Sequence, residues 1–295
     1  MKKKISSPEC VTKDRTVNLI NMSKQGDDTS LEIYSEYLKN KNDFEALKRL
    51  KKLAEQGDAS AQYCLIVEAN GNVWTRLKSL QEAGENGDAN ARFYIGLVYA
   101  LGAGGVTKDT VEAEKWLRKA AEQGHAEAMC SLGEIYSGAA FGYDYENVWP
   151  HNPVESAKWY HKAAEQGEDD AQFTLGCFYA DGFGVSQSYI DAANWWRKAA
   201  KKGNPGAQYN LGLAYTRGEG VAKDLAEAAK WFLKISPEKL GHIGEFYLGL
   251  AYENGYSVEK DPLEAMKLYE KMAWWGDTYA SEAKLRLGLA YADGK

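Results

Sequence analysis

The sequence predicts an all-α protein, a solenoid of about seven two-helix repeats, and three observations carry that prediction. The first is a Leu-Gly or Ile-Gly pair followed by Tyr three residues after the Gly. It recurs as Ile95-Gly96, Leu132-Gly133, Leu175-Gly176, Leu211-Gly212, Leu248-Gly249 and Leu287-Gly288, with steps of 37, 43, 36, 37 and 39 residues. Periods in this range mark stacked units rather than a single globular core. The second is a capping residue with an acid three positions on, at Asp109/Glu112, Asn152/Glu155, Ser188/Asp191, Asp224/Glu227 and Asp261/Glu264. The third is the lack of any sustained period-two alternation, which leaves no basis for a sheet.

The first half of each unit reads as helix A. In the stretch 207–215, Gln208, Leu211, Gly212 and Tyr215 fall at i, i+3, i+4 and i+7, one helical face. Glycine inside a helix costs about 1 kcal/mol relative to alanine, so its recurrence points to a neighbour passing too close for a Cβ. Helix B opens at the capping pairs, which resemble capping boxes, and Pro153 and Pro262 take the first helical position. Seven residues after each cap stands a large side chain: Trp116, Trp159, Trp195, Trp231 and Leu268. Lys-Ala-Ala runs close the helix at 119–121, 162–164 and 198–200, and Gly124, Gly167 and Gly203 suit a left-handed stop.

Weaker copies fill the N-terminal third. Leu31, Tyr34, Tyr37 and Leu38 make a helix A, and Asp43 opens a helix B running to Gly57. Residues 58–69 and 73–85 form a second pair, and 17–24 a lone helix B before Gly26. The expected organisation is therefore a loose tail over 1–15, degenerate helical repeats over 16–87, and regular repeats over 88–295 with a loop insertion at 138–152. The last helix, 280–292, is an A with no B after it.

A net charge of −6 argues against nucleic acid as the main partner, since phosphate binding needs a basic face. With 44% hydrophobic and 12% aromatic residues the chain can bury a core. No apolar run reaches about eighteen residues, so no membrane span is expected. The basic N-terminus lacks the apolar run of a signal peptide. That reading places the chain in the cytoplasm, with the periplasm as the alternative if a leader has been removed. Cys10, Cys64, Cys130 and Cys177 are far apart and unpatterned, which favours free thiols over disulfides or a metal framework.

The repeats are similar to the Sel-1-like repeat family, a subclass of tetratricopeptide-like helical repeats. The resemblance rests on Ala-Gln-Tyr-Asn-Leu-Gly at 207–212, Gly-Glu-Gly-Val at 218–221, Gly-Phe-Gly-Val at 182–185 and Ala-Glu-Lys-Trp-Leu-Arg-Lys-Ala-Ala-Glu-Gln-Gly at 113–124. It implies a right-handed superhelix with the A helices on the concave side, used as an adaptor between proteins. Some bacterial members serve as immunity proteins against secreted toxins, lipases especially. Others are cysteine-rich and β-lactamase-like; this chain lacks their cysteine pair in each repeat, so a hydrolase is the weaker alternative.

No catalytic constellation emerges from the residues. The Gly-x-Gly-Val turns join two helices and have no Lys-Ser/Thr after them, so they do not read as phosphate loops. His125, His151, His161 and His242 lack ligand spacing, and His125 takes the helix-start slot held elsewhere by Asp88 or Asn204. No cofactor or metal is expected. The chain is read as a non-enzyme whose partner is a protein, such as a toxin or effector.

Two surfaces are candidates for that partner. Tyr136 to Trp159 spans 23 residues where Tyr99 to Trp116 spans 17, and the extra turn carries Phe141, Tyr143, Tyr145 and Trp149. Such aromatics anchor interfaces, although the loop could equally fold back over adjacent repeats. The second surface is the A-helix column of Phe93, Cys130, Phe173, Tyr209, Phe246 and Leu285, two residues before each leucine (or Ile95) of the pair. Packing between A helices explains that column as well. Beyond it, Glu134, Asp181, Arg217 and Glu253 would set partner choice by charge.

Overall fold

The computed structural model describes residues 29–40, 43–68, 73–138, 151–275 and 277–292. Among them are fifteen α-helices and no strand. The chain forms two compact units, residues 1–159 and 160–295. The first holds α1 (Thr29–Lys39), α2 (Phe44–Glu55), α3 (Ala59–Val67), α4 (Val73–Glu85), α5 (Ala89–Leu101), α6 (Thr110–Glu122), α7 (Ala126–Ser137) and the start of α8 (Pro153–Gln166). The second continues with α9 (Asp169–Asp181), α10 (Tyr189–Lys201), α11 (Pro205–Arg217), α12 (Leu225–Phe232), α13 (Pro237–Asn254), α14 (Pro262–Met272) and α15 (Thr278–Ala292). Gly241 breaks α13 with a positive φ of 68°, separating a first turn from the helix A proper. The helices expected over 31–38, 43–57, 58–69, 73–85 and 280–292 are all present; the one expected over 17–24 lies outside the described residues.

The helix starts are built as the capping pairs imply. Asp109, Asp224 and Asp261 accept backbone N–H bonds from the first turns of α6, α12 and α14, and Ser188 does so for α10. Asn152 accepts from Glu155 at 3.1 Å. The cap's own N–H is also used. Asp109, Asn152, Ser188, Asp224 and Asp261 each donate to the carbonyl of the Tyr that closes the preceding helix A, at 2.8–3.0 Å. The recurrent Tyr therefore marks the residue whose backbone receives helix B. At the other end of helix B, Gln62, Gln172 and Gln208 reach back from the next helix A to the carbonyls of Ala54, Ala164 and Ala200. These bonds satisfy carbonyls that a helix C-terminus leaves open.

The glycine of the Leu-Gly pair is a point of closest approach. A Cβ on Gly96 would lie 2.6 Å from Leu117 Cγ, and one on Gly212 would lie 2.6 Å from Phe232 Cε1. Gly176 meets Trp196 and Gly249 meets Tyr269 in the same way. The residue in the notch is thus eight positions after the cap, one beyond the expected anchor. Both positions are buried in α6, α12 and α14. In α10 the buried ring is Trp196, whereas Trp195, the expected core residue, is half-exposed. Lysines three residues after the Trp lie over its ring, Lys119 on Trp116 at 4.5 Å and Lys198 on Trp195 at 3.6 Å. The Lys of the Lys-Ala-Ala run thus shields an indole face.

No helix of the described residues is long and apolar enough to cross a membrane. Cys64, Cys130 and Cys177 are in no disulfide.

Candidate protein-binding surface

In the first unit the A-helix aromatics are closed upon one another. Tyr63 and Tyr94 stack with centroids 4.9 Å apart, and Phe93 stacks on His125 at 4.6 Å. Their exposure is 1% for Tyr63, 2% for Phe93 and 4% for Tyr94. The hydroxyls are occupied too: Ser60 donates to the Tyr94 oxygen at 2.9 Å, and Tyr34 donates to Glu68 at 2.7 Å. His125 caps α7 by accepting from the Ala128 N–H. Burial holds its imidazole pKa below the usual value, against the opposing pull of Glu127 and Asp88.

In the second unit the same helices leave an open strip. Tyr209, Tyr247 and Tyr279 are all half-buried. Their rings form a ladder through Phe232: Tyr209 to Phe232 at 5.9 Å, Phe232 to Tyr247 at 6.0 Å, and Tyr247 to Tyr279 at 6.0 Å. Leu213 and Leu250 flank it, each partly exposed. Burial pushes the Tyr247 pKa up. The Tyr209 hydroxyl has no hydrogen-bond partner among the described residues. Burial pushes the Tyr209 pKa up to about 12, with Arg217 opposing the rise, so the phenol keeps its proton and remains a donor at neutral pH. On α11, Tyr209, Leu213 and Arg217 fall at i, i+4 and i+8, a single stripe about 12 Å long.

The other residues singled out from the sequence are distributed differently. Phe246 is 6% exposed and sits among Tyr247, Tyr269 and Tyr279, inside the core. Glu253 is engaged internally, accepting from Tyr269 and Arg286, both at 2.7 Å. Arg217 and Asp181 are exposed, each the last residue of its helix. Arg217 has Glu219 3.7 Å away. Glu134, in the first unit, is half-buried on α7. Phe141, Tyr143, Tyr145 and Trp149 lie outside the described residues.

Comparison with known proteins bears on the repeat itself. Residues 89–125, 126–168, 169–204, 205–236 and 242–273 each match the family model of the Sel1 repeat. The chain belongs to the Sel1 repeat family. Among solved structures it is similar to c5321, a protective antigen of uropathogenic Escherichia coli with an SLR fold. That likeness has 29% identity and a TM-score of 0.66 over 96% of this chain. This chain spans 60% of the length of c5321. It is also similar to a Sel1 repeat protein from Oxalobacter formigenes, at 28% identity and a TM-score of 0.57, covering 96% of this chain and 81% of that one. The immunity protein Pa5087 from Pseudomonas aeruginosa matches at 18% identity and a TM-score of 0.38, over 81% of this chain and 83% of that one, a likeness too low to bear on role. No curated protein matches the sequence.

Tyr247, within the last matched Sel1 repeat, and Tyr279, just beyond it, were not legible as surface residues. Tyr247 is one position past Phe246, about 100° further round the helix, and it takes the open side while Phe246 takes the core. Tyr279 comes from the first turn of α15, outside the repeated phrase. The signal available was the spelling at that position: Tyr94, Ser131, Thr174, Asn210, Tyr247 and Arg286 vary where the flanking leucine hardly does.

Proposed function

We propose that the chain is a non-catalytic interaction scaffold whose A-helix strip in the second unit, formed by Tyr209, Leu213, Arg217, Tyr247, Leu250 and Tyr279, binds a protein partner. The supporting observation is the half-open Tyr ladder itself, in a structure where comparable rings of the first unit are buried and bonded. Tyrosine and arginine are favoured at interface hot spots because they bring large contact area and directed polar groups for little lost entropy. The non-catalytic reading is supported by the duties of the acids. Asp43, Asp58, Asp88, Asp109, Asp224 and Asp261 cap helices, and Glu114, Glu253 and Glu264 hold ion pairs. Among the described residues no group of three His, Cys, Asp or Glu could hold a metal.

Affinity capture from the source cell's lysate tests this, comparing the native chain with a Tyr209→Ala/Tyr279→Ala variant. One protein should be retained by the native chain and lost at least about tenfold by the variant, with both chains equally helical. Equal retention by the two would place binding elsewhere. A secreted toxin such as a lipase as the retained protein, inhibited on binding, would make the chain an immunity protein.

A further inference from the structure

We infer that the strip on α11, α13 and α15 recognises a segment carrying an acidic side chain beside apolar ones, the carboxylate docking at Arg217 and the apolar groups on the Tyr ladder. The inference rests on the reading of this strip as the docking surface and adds the chemistry of what docks there. Donor and acceptor capacity leads to it. A guanidinium only donates, in a fork that matches a carboxylate. The Tyr209 hydroxyl lies on the same helix stripe with no hydrogen-bond partner among the described residues, and its proton is held. Thr216 already donates to the Leu213 carbonyl at 2.7 Å. The Arg217 guanidinium can only donate and the Tyr209 hydroxyl can donate as well as accept, so an acceptor-only anion is a group that both can serve.

Charge complementarity points the same way. The A helices of this unit end at Asp181 on α9, Arg217 on α11, Asn254 on α13 and Ala292 on α15, so Arg217 is the cation of that row. Its contact with Glu219 is 3.7 Å long, with both side chains partly in solvent. Exposed pairs of that kind are weak and screened, so an incoming carboxylate can displace Glu219. Beside the cation, Leu213, Leu250 and the three Tyr rings offer only apolar faces and hydroxyls. Glu253, which precedes Asn254 on α13, is held by Tyr269 and Arg286 and does not compete.

The test pans a random dodecapeptide display library against the full chain and then measures the synthetic winner by fluorescence anisotropy. Selected peptides should share one Asp or Glu flanked by Leu, Phe, Trp or Tyr. Replacing that acid by its amide should weaken binding about tenfold or more, Arg217→Lys should keep much of it, and Arg217→Glu should abolish it. The Arg217→Glu chain should in turn prefer the peptide whose acid is changed to Lys. Arg217 is a partly exposed residue at a helix end, so these variants should fold, which a thermal melt checks. Peptides that lose binding on Tyr209→Ala/Tyr247→Ala yet show no acid preference and ignore Arg217→Glu would overturn the inference and leave the strip standing. Binders indifferent to the Tyr variants would sink the strip itself. A library that yields no binder counts against both.

Discussion

The two units spell the same repeat and differ at its aromatic column: Phe93 of the first is buried, whereas Phe173 and Tyr209 of the second are half-exposed and only Phe246 is closed over. In the first, Phe93 is covered by the His125 ring that begins the next helix A, and Tyr94 is covered by Tyr63. In the second, the residue that meets Phe173 from the next helix A is Gly206, and position 210 is Asn rather than Tyr. A large ring stacked from an adjacent repeat covers a column ring; a small or polar residue there leaves it half-exposed. The difference teaches that repeat packing is secured by the notch and the caps, which both units share. The A-helix column is what remains free to vary, and there the units divide between stability and surface.

The largest expected effect separates those duties directly. Phe93→Ala removes a fully buried ring and should cost about 3–5 kcal/mol in urea unfolding followed by Trp fluorescence. Tyr209→Ala, at a half-open position, should cost about 1–1.5 kcal/mol. Equal losses would dissolve the contrast between the units.

A second pair of substitutions examines what the units have in common. Gly96→Ala and Gly212→Ala should each destabilise by about 1–2 kcal/mol, overpacking against Leu117 and Phe232 being only partly offset by better helix propensity. Gly288→Ala should stabilise by about 0.5–1 kcal/mol, because nothing lies within 4 Å of its added methyl. The three variants spell the same Leu-Gly pair, so a uniform response would refute the notch as the reason for the glycine.

The smallest effect concerns the ring that closes the first unit. Burial depresses the His125 pKa below its unfolded value, so the unfolded chain binds more protons in that window. The contribution to stability is therefore present above the unfolded pKa and is lost as pH falls toward the folded one. Lowering the pH from about 7.5 to about 5.5 should lower the unfolding midpoint. His125→Asn keeps a capping side chain and should flatten that part of the pH dependence. An unchanged slope would remove His125 as its source.

The helices were legible because their ends are chemically specified: Asp43, Asp109, Asn152, Ser188, Asp224 and Asp261 each fix a start, and a positive-φ glycine fixes a stop. The anchor was less legible. Positions seven and eight after the cap are adjacent on one helix, and the Trp at seven is the more regular spelling although Leu117, Trp196, Phe232 and Tyr269 at eight fill the notch. The surface was the least legible. Column position says which residues face the A side, as for Phe246 and Glu253, but only the neighbouring repeat decides whether a ring is covered or a carboxylate is spent.

Hydrogen–deuterium exchange of the full chain, alone and with the captured partner bound, distinguishes the strip from every other surface. Peptides over 205–217, 243–254 and 278–286 should gain protection, with 59–67 and 89–101 unchanged. Protection confined to the first unit or to 139–150, with the Tyr ladder exchanging as before, would contradict docking at the strip.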